Sequence, residues 1–560
     1  MNKCNINCYG EYQREVYVDN KCILHCIKND YQKDRNSGLL SSFYNEFINY
    51  TIEQVFEHSE LFDDKYSKNE IATYLKSGKF ENDEYNKALK KSIFIPSCIH
   101  FPKRDGRDTF DYLKILNLFG QIHFNSCEFY LSSLDLKNIE CFFQDCKFHD
   151  RWTLYDYGVL ENEDNVIYQT CEFTKSVSNY TPEKSTELAI YNHSQFDYTC
   201  KFNENLKFDR AIFKNRLFNT EQNNFLDENS TKRLKFNKCV FDKEFILNQY
   251  TIDKFIIEDS EFKDRFEFQS NSVNDIKIQN SKFEKVSIFT NSKFIELYIS
   301  DSVFKENIDF RGSIFGKKHE LAKSPTTLKS VIIDKSVNFR NVKFYYGLDI
   351  PDTKINDLSS FLNADLAVEY TPRDTFRRLK HEFDSIGNII EANKFYHKEM
   401  QKMEEELTKE LPKSFSEWIV FKIHDFSSKH SQDWVLALYW ITTITFLYSH
   451  LKVFLCQENT EYYIIPFVLN ILVFIFIVLE FLISKYINIT YKFLSTIIIY
   501  FIYGFITNDF TLKCFSNNIN PFSIMTGHDT LTFSTLIYKI IIAYLLYQFI
   551  ISIRQNTRRK

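Results

Sequence analysis

Between residues 121 and 350, large apolar residues recur five positions apart, and a small residue stands two places before the second of each pair. The register is cleanest from Ile276 to Phe315. There Ile278 and Phe283, Phe289 and Phe294, Ile299 and Phe304, and Phe310 and Phe315 form the pairs, with Ser281, Ser292, Ser302 and Ser313 in the small position. A period of five fits neither the 3.6 of a helix nor the 2.0 of a half-buried strand. It fits a solenoid whose short sides each send one large and one small side chain inward. Phe124/Phe129, Phe143/Phe148, Tyr168/Phe173, Phe208/Phe213, Phe236/Phe241, Ile257/Phe262 and Phe339/Phe344 extend the same register. Cys127, Cys146, Cys171, Ala211, Cys239 and Ser260 fill the small slot in these pairs. Four stretches interrupt it, at 150–167, 174–195, 218–233 and 316–329, and read as loops bulging from the corners.

The flanks have other periods. Leu39, Leu40, Phe43, Phe47, Ile52 and Phe56 make the stripe of an amphipathic helix over 38–60. Shorter helices follow over 69–75 and 83–91, and the crowded apolar residues from Phe110 read as the cap that closes a solenoid end. Past Pro351, Thr371-Pro372-Arg373-Asp374 is a helix start, and Gly387-Asn388 divides two helical stripes into an antiparallel pair. His381, Glu391 and His397 on that pair read as solvated helix-face residues. Ser414 to Phe426, with Trp418, Ile419, Phe421 and Ile423 among charged neighbours, reads as an interfacial helix.

Four apolar runs then follow, at about 434–455, 463–484, 488–507 and 533–553, each near the length that spans a bilayer. Lys485, Lys492, Arg554, Arg558, Arg559 and Lys560 favour an even number of spans with both termini in the cytoplasm. Glu480, Lys539, Asn470 and Gln548 sit in or near the interiors of the runs, and Glu480 and Lys539 lie close enough to run ends to snorkel. The 508–532 segment between the last two runs carries no potassium-type selectivity filter.

Composition sharpens this picture in three ways. Of 560 residues, 57 are Phe and 34 Tyr, as stacked aromatic coils require, whereas only 12 are Gly and 9 Pro, too few for long flexible linkers. A net charge of -5 gives no field for a general polyanion binder. Residues 1–33 contain no apolar core of a secretory signal, so the front part is expected in the cytoplasm with reduced thiols. Six of the thirteen cysteines, Cys127, Cys141, Cys146, Cys171, Cys200 and Cys239, occupy the small slot two places before a phenylalanine and are expected to be buried packing residues.

Of the seven other cysteines, Cys4, Cys8, Cys22 and Cys26 lie together, with His25 among them, as the credible chemical cluster. Two close pairs of soft donors can form a tetrahedral structural zinc site, with either His25 or Cys26 completing it. Reduced structural cysteines are the competing interpretation. No glutamate is placed as in a zinc-peptidase helix, and no nucleophile elbow, phosphate loop or dinucleotide fingerprint occurs, so no enzyme activity is expected.

On the five-residue register and its small slot, residues 121–345 resemble the pentapeptide-repeat family. The resemblance implies a right-handed quadrilateral β-helix. This chain departs from the family consensus in using mostly Phe as the large residue and often Lys, Glu, Val or Ile between it and the small one. Some soluble members of that family imitate DNA; the near-balance of acids and bases here argues against mimicry, and no nucleic-acid partner is expected. The expected multidomain architecture is a zinc knuckle (1–35), a helical lead-in and cap (36–120), the pentapeptide-repeat solenoid (121–350), a helix pair with a connecting helix (351–432) and an α-helical transmembrane domain of four spans (433–560). The expected role is a multi-pass protein of the cytoplasmic membrane, a non-enzymatic scaffold that presents its solenoid to a protein partner. The alternative is an ion channel or transporter regulated by that solenoid. The sequence names neither the protein partner nor the oligomeric state.

Overall fold

The computed structural model describes residues 4–6, 14–28, 38–57, 68–103, 110–136, 139–158, 166–180, 187–219, 230–318, 324–357, 359–409, 415–456, 475, 489–523 and 532–557. The chain forms two compact units, Met1–Thr371 and Pro372–Lys560.

The first unit is a solenoid-like stack of short strands in five sheets. Each pairing between the strands is parallel, because each coil lays its segments directly on those of the coil before. In the regular stretch Thr251 pairs with Ser272 and Ser272 with Lys293, so one coil advances the chain by 21 residues. Such a coil holds an eight-residue strand (Thr251–Glu258) and two short ones (Glu261–Phe262 and Phe266–Glu267). The large slot of the sequence register becomes a column of rings. Phe241, Phe262, Phe283 and Phe304 stack with centroids 4.5, 4.9 and 4.4 Å apart and planes within 4° of parallel. Face-aligned rings one coil apart follow from parallel in-register pairing, and each buried ring removes about 1.5–3 kcal/mol of apolar surface from water.

The small slot does more than leave room. Ser281 accepts the backbone N–H of Ser260 at 3.2 Å, and its own N–H donates to Ser302 Oγ at 3.1 Å. The hydroxyls thus tie successive coils. The cysteine column works alike: the backbone of Cys127 hydrogen-bonds Cys146, that of Cys146 bonds Cys171, and that of Cys171 bonds Cys200. Immediately before the small slot, Ser126, Asp145, Thr170, Arg210, Lys238, Asp259, Asn280, Asp301, Ser330 and Asp352 all have left-handed backbone, with φ between 45° and 53°. These are the corners. Asp and Asn recur there because they tolerate this region best among residues with a Cβ.

The strand stack reaches beyond both ends of the 121–350 segment. Ile93–Phe94 and His100–Phe101 pair with Gln121–Asn125 and Glu128–Phe129, and Asp365–Leu366 pairs with Lys343–Phe344. Helices Leu39–Glu57, Lys68–Ser77 and Asp83–Leu89 precede it. Phe43, Phe47 and Tyr112 place their rings 5.6–6.3 Å from Phe101, the first ring of its column. The cap is therefore aromatic on both sides of the contact. The first two interruptions are not simple loops, as expected from the five-residue template: Trp152–Leu154 and Val177–Asn179 are paired strands with Trp152, Leu154 and Val177 buried. Trp and Val stand in for the usual Phe there, which hid the register. The middle of each interruption lies outside the described residues.

In the second unit, helices Arg373–Ser385 and Ile389–Lys409 form the antiparallel pair, separated at Gly387 with φ 74°. Phe376, Leu379, Phe383, Ala392 and Phe395 are buried. Helix Phe415–Ser428 follows and exposes Phe415, Val420 and Ile423. Among the described residues, two helices are long and apolar enough to cross a membrane, Trp434–Lys452 and Phe533–Gln555, and Thr490–Phe505 is a shorter apolar helix. The expected 463–484 run, with Asn470 and Glu480, lies outside the described residues except for Ile475. Leu436, Trp440, Tyr538, Ile542 and Leu545 form a shared core between the first and last of these helices.

Lys539 does not snorkel. It is 4% exposed and its Nζ donates to the carbonyls of Asn518 (2.8 Å) and Asn520 (2.6 Å), at the C-terminal end of the short helix Lys513–Ile519. Those carbonyls have no helical partner, so a cation there is favourable. Lys492 is likewise buried and pairs with Asp433 at 3.2 Å.

Candidate metal centre

The N-terminal knuckle is built by two tight turns. Asp19 and Asn20 both have positive φ (49° and 60°), the geometry of a two-residue hairpin turn, and Val18 bridges Lys21 across it. The chain then turns again, with the N–H groups of His25 and Cys26 both donating to the carbonyl of Cys22. That turn presents the side chains of Cys22 and His25 on one side. Cys4 is brought in by two backbone bonds, from its own N–H to Arg14 and from Asn5 N–H to Asn20.

The result is a group of three soft donors. His25 Nδ1 lies 3.5 Å from Cys4 Sγ and 3.2 Å from Cys22 Sγ, and Cys22 N–H donates to Cys4 Sγ at 3.2 Å. Tetrahedral zinc with Zn–S near 2.3 Å and Zn–N near 2.0–2.1 Å sets an S···N edge of about 3.6 Å. The observed edges are within about 0.4 Å of that, and an N–H donated to sulfur is what a thiolate ligand takes up. The residues fit the ion. Geometry also selects between the two candidates at the second pair. Cys26 Sγ turns to the carbonyl of Ile23 (3.6 Å) and to Lys28 Nζ (3.4 Å), away from the group. Cys8 lies outside the described residues.

Around the group the knuckle is held firmly. Leu24 is fully buried and its carbonyl accepts from the His100 N–H at 2.8 Å, which docks the turn on the first strands of the solenoid. Arg14 pairs with Glu46 at 2.7 Å and with Glu53, both on helix Leu39–Glu57. Lys28, 2% exposed, donates to the carbonyls of Ile23 (2.8 Å) and Cys26 (2.6 Å), and burial pushes its ammonium down to about 8. Nothing in the residue spacing singles out Lys28; only its buried position does.

Elsewhere, Cys127, Cys141, Cys146, Cys171, Cys200 and Cys239 are all buried and unbridged. Burial pushes the thiols of Cys141, Cys146, Cys171, Cys200 and Cys239 up, the opposite of what a nucleophile or ligand needs. Among the described residues, the other group of donors close enough to share an ion is Glu404, Asp425 and His430. Sequence reading passed over it and weighed His381, Glu391 and His397 instead. His381 is exposed, but His397 is half-buried, contrary to its expected solvation, with its ring 6.0 Å from that of His430. A signal was present in the His424-Asp425 pair followed by His430, where a helix ends. No family model, curated protein or solved structure matches the chain.

Proposed function

We propose that this chain is a membrane-tethered, non-enzymatic scaffold. Its first unit is a right-handed quadrilateral β-helix of the pentapeptide-repeat type, held in the cytoplasm, and its last helices anchor it in the cytoplasmic membrane with both termini inside. The observation that carries the reading is the use of the repeat residues. Phe rings, Ser hydroxyls and Cys thiols of the register are consumed in binding coil to coil, which leaves the outward corners and the four interruptions to meet a protein partner. Outward charges are also matched between coils, as in Lys254–Asp275 (2.6 Å) and Asp242 between Lys214 (2.6 Å) and Lys263 (2.8 Å). Such matching suits a neutral display surface rather than a nucleic-acid mimic.

The same economy favours a scaffold over a channel. Lys492 and Lys539, two lysines buried beside the apolar helices, are paired with Asp433 and with the helix-end carbonyls. Structural zinc at Cys4, Cys22 and His25 would fasten the N-terminal knuckle to the cap, supplying a cross-link where a reducing compartment allows no disulfide. The test uses intact cells. Carbonate washing should leave the chain in the membrane, and an impermeant maleimide should reach Cys514, which is exposed between the last two apolar helices, from outside. Extraction by carbonate, or labelling of Cys514 only after lysis, would overturn the anchoring. Ion flux through liposomes carrying the folded full-length chain would replace the scaffold by the channel.

A further inference from the structure

The second unit contains a buried histidine aimed at two carboxylates. At the end of helix Phe415–Ser428, Lys429, His430 and Ser431 have consecutive positive φ values of 47°, 54° and 66°. This turn sends His430 inward, where its side chain is 0% exposed and its Nε2 has no hydrogen-bond partner. Nε2 faces Glu404 Oε2 at 3.7 Å and Asp425 Oδ1 at 3.8 Å. Glu404 comes from helix Ile389–Lys409 and Asp425 from helix Phe415–Ser428. Lys422 already holds the other oxygen of Glu404, so Oε2 is the one left facing the histidine.

The hydrogen bonds behind the ring accommodate the tautomer with its proton on Nδ1. Ser428 and Ser431 both donate to Gln548 Oε1 at 3.1 Å. With its proton so used, Ser431 Oγ accepts from His424 Nε2–H at 3.2 Å. His424 Nδ1 then carries the lone pair and accepts from His430 Nδ1–H at 3.1 Å. In that arrangement His430 Nε2 presents a lone pair to two carboxylate oxygens. A proton on Nε2 would neutralise the conflict but would make no hydrogen bond over 3.7 Å or more. A metal ion bridges that gap. Tetrahedral bonds of about 2.0–2.1 Å require donor edges of about 3.3–3.4 Å, so the two edges at Nε2 need shorten by only about 0.4 Å, and all three donors already lie within 4.8 Å of one another.

We propose that Glu404, Asp425 and His430 form a divalent transition-metal site, separate from the N-terminal thiol group, with zinc as its ion. One imidazole and two carboxylates suit zinc, whereas calcium and magnesium prefer oxygen alone. The ion staples helix Ile389–Lys409 to helix Phe415–Ser428 and holds the left-handed turn closed. His424 is a positioning residue: it orients His430 and, through Ser431, links the site to Gln548 on the apolar helix Phe533–Thr557.

The experiment uses the full-length chain in detergent with Cys4→Ser and Cys22→Ser, so that zinc at the N-terminus is removed from the count. After chelation and exchange, Zn²⁺ is titrated in competition with a chromophoric chelator. One equivalent is expected, lost in His430→Ala and weakened at least tenfold in the isosteric Glu404→Gln and Asp425→Asn. His424→Ala should weaken it about ten- to hundredfold. Co²⁺ should give the visible bands of a nitrogen–oxygen site without a thiolate charge-transfer band. No zinc uptake by the Cys-substituted chain with an unchanged circular dichroism spectrum would overturn the proposal. So would a full equivalent retained by His430→Ala, or an affinity in both isosteric variants unchanged from that of the Cys-substituted parent.

Discussion

Replacing Ser281 by alanine separates the two roles of the small slot, space and hydrogen bonding. Ser281 is 3% exposed; its hydroxyl donates to the carbonyl of Gln279 at 2.7 Å and accepts the N–H of Ser260 at 3.2 Å. Alanine fits the space, since Ala211 fills the same slot, fully buried. It nevertheless removes the acceptor that Ser260 N–H uses between coils. A buried donor left unmatched costs about 1–3 kcal/mol, and the lost donation to Gln279 adds about 1 kcal/mol. The expected loss is about 2–4 kcal/mol. Cysteine at 281 keeps an acceptor of the kind that Cys146 and Cys171 already provide in the other column, so its cost should be under about 1 kcal/mol. Hydrogen exchange by mass spectrometry reads this locally. Peptides covering 251–283 should exchange about 30- to 700-fold faster in Ser281→Ala at about 1.4 kcal/mol per tenfold change, and less than about 5-fold faster in Ser281→Cys. Equal exchange in Ser281→Ala and the parent chain would mean that the slot selects for size alone.

Phe283→Ala empties a ring position stacked on Phe262 and Phe304 and should cost about 3–5 kcal/mol, read as loss of exchange protection in the coils on both sides; an effect confined to its own coil would contradict a cooperative stack. Alkylation of the folded chain should modify exposed Cys514 first and spare Cys146 and Cys171 until unfolding, while chelation should speed the reaction at Cys4 and Cys22 only; chelator-independent rates at Cys4 and Cys22 would remove zinc from the knuckle. Lys539→Met removes the lysine's bonds to the Asn520 carbonyl and to the Asn518 carbonyl, which keeps the Tyr538 hydroxyl, so residues 508–523 should open about 1–3 kcal/mol more easily, and unchanged protease resistance there would show that the lysine is not a cap.

The repeat was legible because its cause is local. One residue type per slot suffices to announce a coil when every coil repeats it, and Phe283 declares its neighbours Phe262 and Phe304 without any knowledge of the rest. The corner was equally local but was not read. Asp145, Asp259, Asn280, Asp301 and Asp352 all precede a small residue, and their common left-handed backbone explains that choice. Attention to the position before the small slot would also have found Ser126, Thr170 and Ser330, where the side chain is still short. What stayed hidden were coils in which the large residue changes type, as at Trp152 and Val177. There, burial depends on neighbours one coil away, and a single-window pattern carries no such information.

Polar groups show the same divide more sharply. Cys22 and His25 could be paired by spacing alone, since one tight turn brings them together. The choice of His25 over Cys26 needed the positions of Lys28 and Ile23, to which the Cys26 thiol turns. Glu404, Asp425 and His430 lie on two helices and a turn, and nothing in their spacing shows that His430 is the most deeply buried of them. Lys539 is the clearest instance of a local reading overruled by a distant partner. Judged by its own run, a lysine near the end of an apolar helix has a short route to water. Twenty residues earlier, however, the helix Lys513–Ile519 ends with carbonyls that need a donor, and a lysine that supplies them gains two hydrogen bonds where snorkelling would restore only hydration. An ionisable side chain in an apolar helix therefore marks an unmet backbone need as readily as a transport path, and at Lys539 the need is visible.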